Sequence, residues 1–177
     1  MRLVRIFLML LCAVSLPALC QTQQDAYPDS RQERELKACG APEKGVSYNV
    51  LSDTSAHPSG TQTADKALVY IFRPHHSLAS FQSKVAVDGE WRGVNVSGTY
   101  FFLTLEPGLH YFCSEAKSRS LLIFTAEAGE TYYIEQQVIF KPHSPVHNLF
   151  LLSEADSKST LALTALSTWS LSTGKVE

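Results

Sequence analysis

The stretch Ala67-Leu-Val-Tyr-Ile-Phe-Arg-Pro74 decides the fold that we predict for this chain. Its apolar residues are rich in β-branched and aromatic types, which predicts a strand covered on both faces. Pro74 lacks a backbone N–H and so ends the strand. Further apolar runs continue to Gln136, separated by turn sequences at Asp88-Gly89, Glu106-Pro107-Gly108 and Ala128-Gly129-Glu130. Short strands between such turns predict an all-β domain.

We expect an antiparallel β-sandwich of about seven or eight strands with a short C-terminal helix. The helix should begin near Ser153, because serine is a favoured N-cap residue. We place the sandwich at residues 66–166 and an N-terminal arm and linker at 21–65, with a mobile arm that contains at most a frayed helical turn at Arg31–Leu36. Residues 167–177 are expected to form a loose polar tail.

The hairpin within Ser83–Val94 has two candidate turns. A two-residue turn of Asp88 and Gly89 would put core valines on the same face as charged residues of the returning strand. A three-residue loop that begins at Val87, with Gly89 left-handed, pairs Val85 with Trp91 and leaves the charges outside. We therefore predict the three-residue loop.

Residues 1–20 have the pattern of an export signal. Two arginines precede a short apolar run, which ends in the small-x-small sequence Ala18-Leu-Cys20. Cleavage there would start a periplasmic or secreted chain at Gln21. The alternative is a lipid anchor at Cys20, although Pro17-Ala-Leu19 matches lipoprotein signals poorly. The apolar run is too short to span a membrane, and no longer run follows it.

The charge balance argues against nucleic acid as a partner. The formal net charge is -2, and removal of Arg2 and Arg5 with the signal would change it to about -4. No cluster of basic residues compensates for this charge. The remaining chain of about 157 residues suits a single domain.

Cys39 and Cys113 are the two of the four cysteines that lie beyond the signal. An even pair in an exported protein is usually oxidised, so we expect a disulfide between them. Two separate buried thiols are the alternative.

The histidines do not predict a metal site. His143 and His147 have the spacing of two ligands on a helix, but the prolines at 142 and 145 argue against a helix there. We interpret them as loop histidines. His75 and His76 are adjacent and lack a cysteine or acidic partner nearby.

We find no motif for catalysis or for a cofactor. Cys113 and His110 are three residues apart on one strand, which puts their side chains on opposite faces. Glycine-rich phosphate loops, serine elbows and zinc-binding helices are missing from the sequence. The available carboxylates lie mostly in turns, where solvated side chains are the simpler interpretation.

Exposed aromatic side chains in a row could stack against sugar rings and so bind a glycan. The candidates are Trp91, Tyr100, Tyr111, Tyr132 and Tyr133. Our hairpin register turns Trp91 inward, which favours core packing over a ligand contact. Arg73 closes an apolar strand and could mark an interface or an anion site, with an ordinary strand-end charge as the alternative. Arg73 and Trp91 are therefore the candidate ligand or interface residues.

Several of these segments resemble an uncharacterised bacterial family, domain of unknown function 2846. The shared pieces run from about Lys66 to Leu152 and include Ala67–Pro74, Val87-Asp-Gly89, Gly98-Thr-Tyr-Phe101, Glu106-Pro-Gly-Leu-His110 and Ala126–Tyr133. The chain also looks like PEGA-type β-sandwich modules, which share the Val-Asp-Gly hairpin. The stretch Ala38-Cys-Gly-Ala-Pro42, taken with Cys113, looks like an exported subgroup of the family, and this resemblance supports the Cys39–Cys113 bridge.

The resemblance implies fold and export but no activity, because the family has no assigned function. We expect a noncatalytic binding or accessory module of the cell envelope, with an unknown envelope protein or glycan as its partner. The alternatives are a small secreted hydrolase or thiol redox protein whose site is not visible in the sequence, and a purely structural envelope component.

Overall fold

The computed structural model describes residues 30–41, 48–55, 57–74, 81–116, 118–141 and 144–172. The cleavage site at Cys20 and Gln21 and the histidines at 75, 76 and 143 lie outside these ranges. The elements are α1 (Arg31–Cys39), β1 (Tyr48–Asp53), β2 (Ala67–Arg73), β3 (Ser83–Val87), β4 (Glu90–Asn95), β5 (Thr99–Leu105), β6 (Gly108–Glu115), β7 (Arg119–Ala126), β8 (Thr131–Lys141), β9 (Ser144–Leu152), α2 (Glu154–Leu161) and β10 (Ala165–Leu171).

The strands form two sheets that pack face to face. The larger sheet has the order β1-β10-β5-β2-β8-β9 and the smaller has the order β4-β3-β6-β7. Most neighbours are antiparallel, while β2 pairs with β8, and β10 with β5, in parallel. The predicted β-sandwich with a short C-terminal helix is confirmed. The described residues contain ten strands, so the predicted number of seven or eight was too low.

Strand β2 is the central strand that its composition predicts. All seven of its residues are buried, because apolar layers cover both of its faces. Val69 and Ile71 point into the core between the sheets, and Leu68 and Tyr70 point to the outer face of the larger sheet. A strand covered in this way needs no polar alternation, which explains its continuous apolar sequence.

Helix α1 covers the outer face of the smaller sheet. Its N-cap Ser30 forms a capping box with Glu33, and Cys39 in its last turn forms a disulfide with Cys113, with 5.1 Å between the Cα atoms. Both cysteines are fully buried. The expected bridge is therefore present, and the helix that was expected to be a frayed turn is a docked, cross-linked element.

The turn between β3 and β4 differs from the prediction. Val87 pairs with Glu90, so the turn has two residues, and Asp88 and Gly89 both have positive φ angles of 52° and 84°. The prediction of a left-handed Gly89 is correct, and the prediction of a three-residue loop is wrong. Two successive positive φ angles match the right-handed twist of a hairpin.

A bulge in β4 reconciles this short turn with the burial pattern. Ala86 pairs with Trp91 and Val85 with Gly93, so Arg92 is an extra residue. Trp91 therefore pairs with Ala86. The predicted pairing of Trp91 with Val85 is wrong. The ring of Trp91 packs with the residues under α1 instead of facing the core between the sheets.

Replacing Gly89 with valine should destabilise this hairpin. A β-branched residue at a φ of 84° is strained by at least about 1–2 kcal/mol, and the backbone of α1 lies 3.4 Å from the position of a Cβ. Thermal unfolding would measure the loss. Glu90→Val is the matched control, because residue 90 is exposed and has no positive φ. Equal melting temperatures for the two variants would show that the backbone assignment at Gly89 is wrong.

The first and the last of the described strands pair with each other. Strand β1 pairs with β10 from Tyr48–Leu171 to Asp53–Leu166. Strand β10 continues to Leu171, past the boundary at residue 166 that the sequence suggested, so its residues belong to the sheet and not to a loose tail. No helix in the described ranges is long and apolar enough to cross a membrane.

Candidate functional site

Three tyrosines form a floor on the outer face of the larger sheet. Tyr70, Tyr100 and Tyr133 come from the adjacent strands β2, β5 and β8. Tyr70 pairs directly with Tyr133, and their rings stack with centroids 5.5 Å apart and planes 8° apart. The ring of Tyr100 lies 6.5 Å from that of Tyr70. Their position on neighbouring strands brings these residues together although they are distant in sequence.

Two segments flank the three tyrosines and form the walls of a cavity of about 240 Å³, which we call the tyrosine pocket. One wall is the stretch 57–59, and the other is α2. Ser153 caps α2 by accepting a hydrogen bond from the N–H of Asp156, and Leu161 at its end packs against the tyrosine layer. The lining residues are His57, Pro58, Ser59, Tyr70, Tyr100, Tyr133, Lys158, Leu161 and Ala162.

Two tyrosine hydroxyls hold the wall at residues 57–59 in place. Tyr100 donates to the carbonyl of Pro58 at 2.9 Å, and the N–H of Gly60 donates to the Tyr70 hydroxyl at 3.0 Å. Residue 60 must be small, because a Cβ there would lie 2.4 Å from a methyl group of Leu68. Tyr133 and Glu154 of α2 are close enough to shift each other's pKa, that of Tyr133 upwards and that of Glu154 downwards. The sheet thus fixes the shape of the pocket through side chains that also line it.

The floor of the pocket carries hydroxyl groups but no charge. Burial raises the pKa of Tyr100 and of Tyr133 above the ordinary value for a phenol, so both remain neutral hydroxyls. At the rim, the ammonium of Lys158 lies 2.8 Å from the Glu154 carboxylate, and the two charges balance. The lining residues include no thiol or carboxylate. This arrangement is suited to binding a neutral ring through its faces and hydroxyl groups.

Arg73 and Trp91, the candidate residues from the sequence, lie elsewhere. Arg73 is only 3% exposed and sits at one end of the core between the sheets. It donates to the carbonyl of Phe81 at 2.7 Å and to Ser83 Oγ at 3.2 Å, and burial lowers its pKa to about 10. Trp91 packs under the ammonium of Lys84 at 4.2 Å. Neither residue lines the tyrosine pocket.

Cys113 and His110 do not form a catalytic pair. Cys113 is cross-linked to Cys39, whereas the His110 ring bonds through Nδ1 to Asp88 at 2.6 Å and through Nε2 to the Glu106 carbonyl at 2.7 Å. The ring of His110 thus joins two turns at one end of the smaller sheet.

His147 is not a loop residue, contrary to our interpretation of the sequence. It lies in β9 and is 2% exposed. The proline at 145 is tolerated because β9 is an edge strand of the larger sheet. Burial, together with the charge of Arg73, lowers the pKa of His147 to about 4. Among the described residues, no group of three or more metal-ligating side chains is assembled.

Sequence reasoning found part of the pocket. Tyr100 and Tyr133 are among the predicted stacking candidates, whereas Tyr70 is predicted only to lie in a covered strand. The alternation of Leu68, Tyr70 and Phe72 was the available signal, because it puts all three side chains on one face.

Comparison with known families identifies the central part of this sandwich. Residues 63–148 match the model of the family described as "Protein of unknown function (DUF2846)". The predicted resemblance to that family is confirmed. No significant match was found among curated proteins or among solved structures. The three tyrosines lie inside the matched segment, whereas both walls of the tyrosine pocket lie outside it.

Proposed function

We propose that this chain is an exported, noncatalytic binding module of the cell envelope and that the tyrosine pocket holds its ligand. The pocket itself carries the proposal, because it combines a concave shape, an aromatic floor and neutral hydroxyl groups. Such concave, mostly apolar sites with a few fixed polar groups are typical of small-molecule binding.

A saccharide ring is the ligand class that best fits this lining. The apolar faces of sugar rings pack on aromatic rings, and their hydroxyl groups exchange hydrogen bonds with phenols. The Tyr70 oxygen accepts from Gly60, which leaves its hydrogen available to a ligand oxygen. A cavity of about 240 Å³ has room for roughly one such ring. An envelope glycan that presents a terminal ring is therefore the proposed partner.

Export is supported by two features of the chain. The residues before Gln21 have the pattern of a cleavable signal, and the Cys39–Cys113 bridge is of a kind that persists in oxidising compartments. The fully buried bridge also argues against the alternative of a thiol redox protein, since it offers no accessible sulfur.

Filling the pocket tests the proposal. We expect ligand-observed NMR with a panel of mono- and disaccharides from bacterial envelope glycans to find binders. Leu161→Trp should weaken their binding at least tenfold, because the indole would occupy the cavity. Leu163→Trp is the matched control, since Leu163 is 76% exposed and does not line the pocket.

Circular dichroism spectra that match the wild type show that both variants are folded, so that a change in binding reports on the pocket. A panel without binders, or binders that Leu161→Trp leaves unaffected, would contradict the assignment of the pocket as a saccharide site.

A further inference from the structure

A second cavity lies between the edge strands of the two sheets. It has a volume of about 570 Å³ and is bounded by β7, β9 and the exposed side of α1. Arg31, Arg34 and Arg119 line it together with Glu35, Ser120 and His147. We call it the arginine groove. It shares no lining residue with the tyrosine pocket.

The groove carries a net positive charge. Arg31 bonds to Glu35 at 2.8 Å and Arg119 to Glu115 at 2.6 Å, in each case through Nε. A guanidinium has five N–H donors, so these bonds leave the terminal amino groups for other acceptors. Glu115 also pairs with Lys84 at 3.0 Å. Among the residues that line the groove, three arginines accompany one carboxylate, that of Glu35.

The floor of the groove contains a histidine with unmet hydrogen-bonding capacity. Neither Nδ1 nor Nε2 of His147 has a hydrogen-bond partner among the described residues, although the side chain is only 2% exposed. Buried polar atoms are nearly always paired, because leaving one unpaired costs about 1–3 kcal/mol. An imidazole without a partner in a groove lined by three arginines is therefore a site that a polar ligand would complete.

The charges around His147 indicate the sign of the charge on that ligand. The positive charge of Arg73 acts on His147 from within the core, and both residues contact the ring of Phe81, at 4.7 Å for the guanidinium and 5.5 Å for the imidazole. Arg73 donates to a carbonyl and a hydroxyl, and no carboxylate among the described residues pairs with it. The positive charge of Arg73 in the core, together with the arginines that line the groove, favours an anion.

We propose that the arginine groove is a binding site for a ligand with an oxyanion group, either a phosphate or a carboxylate. The arginine side chains bind the oxyanion through their planar N–H groups, which match both anions. The neutral imidazole of His147 donates one hydrogen bond from the floor. The groove is larger than the anion alone, so the rest of an acidic ligand can lie along β7 and β9.

NMR titrations with inorganic phosphate and with acetate test this proposal. The observed signals are the imidazole resonances of His147 in the full chain at constant pH, with chloride at equal ionic strength as the reference. We expect saturable shifts with at least one of the two anions and no such shifts with chloride. Preference for phosphate would indicate a phosphorylated ligand, and preference for acetate a carboxylic acid.

Variants separate a built site from general attraction to positive charge. Arg119→Gln should weaken binding about tenfold, as expected for loss of a charge-assisted hydrogen bond. His147→Leu should also weaken it, observed through backbone amides of β9. Arg92→Gln is the matched control, because Arg92 is an exposed arginine in an ion pair with Glu90 on the distant edge strand β4. Shifts that do not saturate, or that Arg92→Gln reduces as much as Arg119→Gln, would mean an adventitious ion only and would overturn the proposal.

Discussion

Breaking the Cys39–Cys113 bridge is expected to lower the free energy of unfolding by up to about 4 kcal/mol. The cysteines are 74 residues apart, and the bridge restricts a large loop of the unfolded chain. For a domain of this size the loss corresponds to roughly 10 °C in melting temperature. The same bond holds α1 on the smaller sheet, so its removal should also expose the residues beneath the helix.

The double variant Cys39→Ala/Cys113→Ala tests this expectation. Alanine suits both positions because they are fully buried and small. Thermal unfolding gives the change in stability, and hydrogen exchange of the α1 amides reports whether the helix has loosened. The single variant Cys39→Ala serves as the control for the effect of a free buried thiol. An unchanged melting temperature in the double variant would show that the bridge contributes no stability.

Acidification should destabilise the fold through His147. The folded protein holds the pKa of His147 at about 4, while the unfolded chain has the ordinary value of 6.5. Between these two pH values the unfolded state binds the additional proton. Stability from this residue is therefore complete above pH 6.5 and is lost as the pH falls towards 4, by up to about 3 kcal/mol.

Chemical denaturation at a series of pH values measures this effect, and His147→Leu isolates it from other titrating groups. The wild type should lose stability between pH 6.5 and 4 more steeply than the variant. Parallel curves for the two proteins would mean that His147 titrates normally in the folded state. The comparison should be made without phosphate or carboxylate buffers, since an anion in the arginine groove would favour the protonated ring.

The parts of the fold that follow local rules were predictable from the sequence. The continuous apolar run of β2, the turn glycines and the cap at Ser153 each have a direct physical meaning, and the structure contains all three. The bulge at Arg92 was not predictable. From Gly93 onward, a two-residue turn followed by a bulge puts the side chains of β4 on the same faces as the predicted three-residue loop does.

The remaining differences involve pairing between distant segments. Strand β10 has polar residues and joins β5 through only two residue pairs. Its extended conformation therefore depends on the pairing with β1 and not on its own sequence. Helix α1 is short and mostly polar, and the disulfide and two buried residues hold it in place. No local pattern indicates such tertiary stabilisation.

The candidate sites show the same division. Two of the three pocket tyrosines stood out as aromatic residues on strands, but the walls depend on how residues 57–59 and α2 fold over the sheet. His147 seemed to be in a loop because two prolines precede it. Its burial became apparent only once β9 was placed at the edge of the sheet, beside β7.

Whether a saccharide occupies the tyrosine pocket can be measured by intermolecular nuclear Overhauser effects between a bound saccharide and protein labelled in its tyrosine rings. We expect contacts from the ring protons of the sugar to Tyr133 and Tyr70 in the tyrosine pocket. Contacts confined to other aromatic residues, such as Tyr111 or Tyr132, would contradict this expectation.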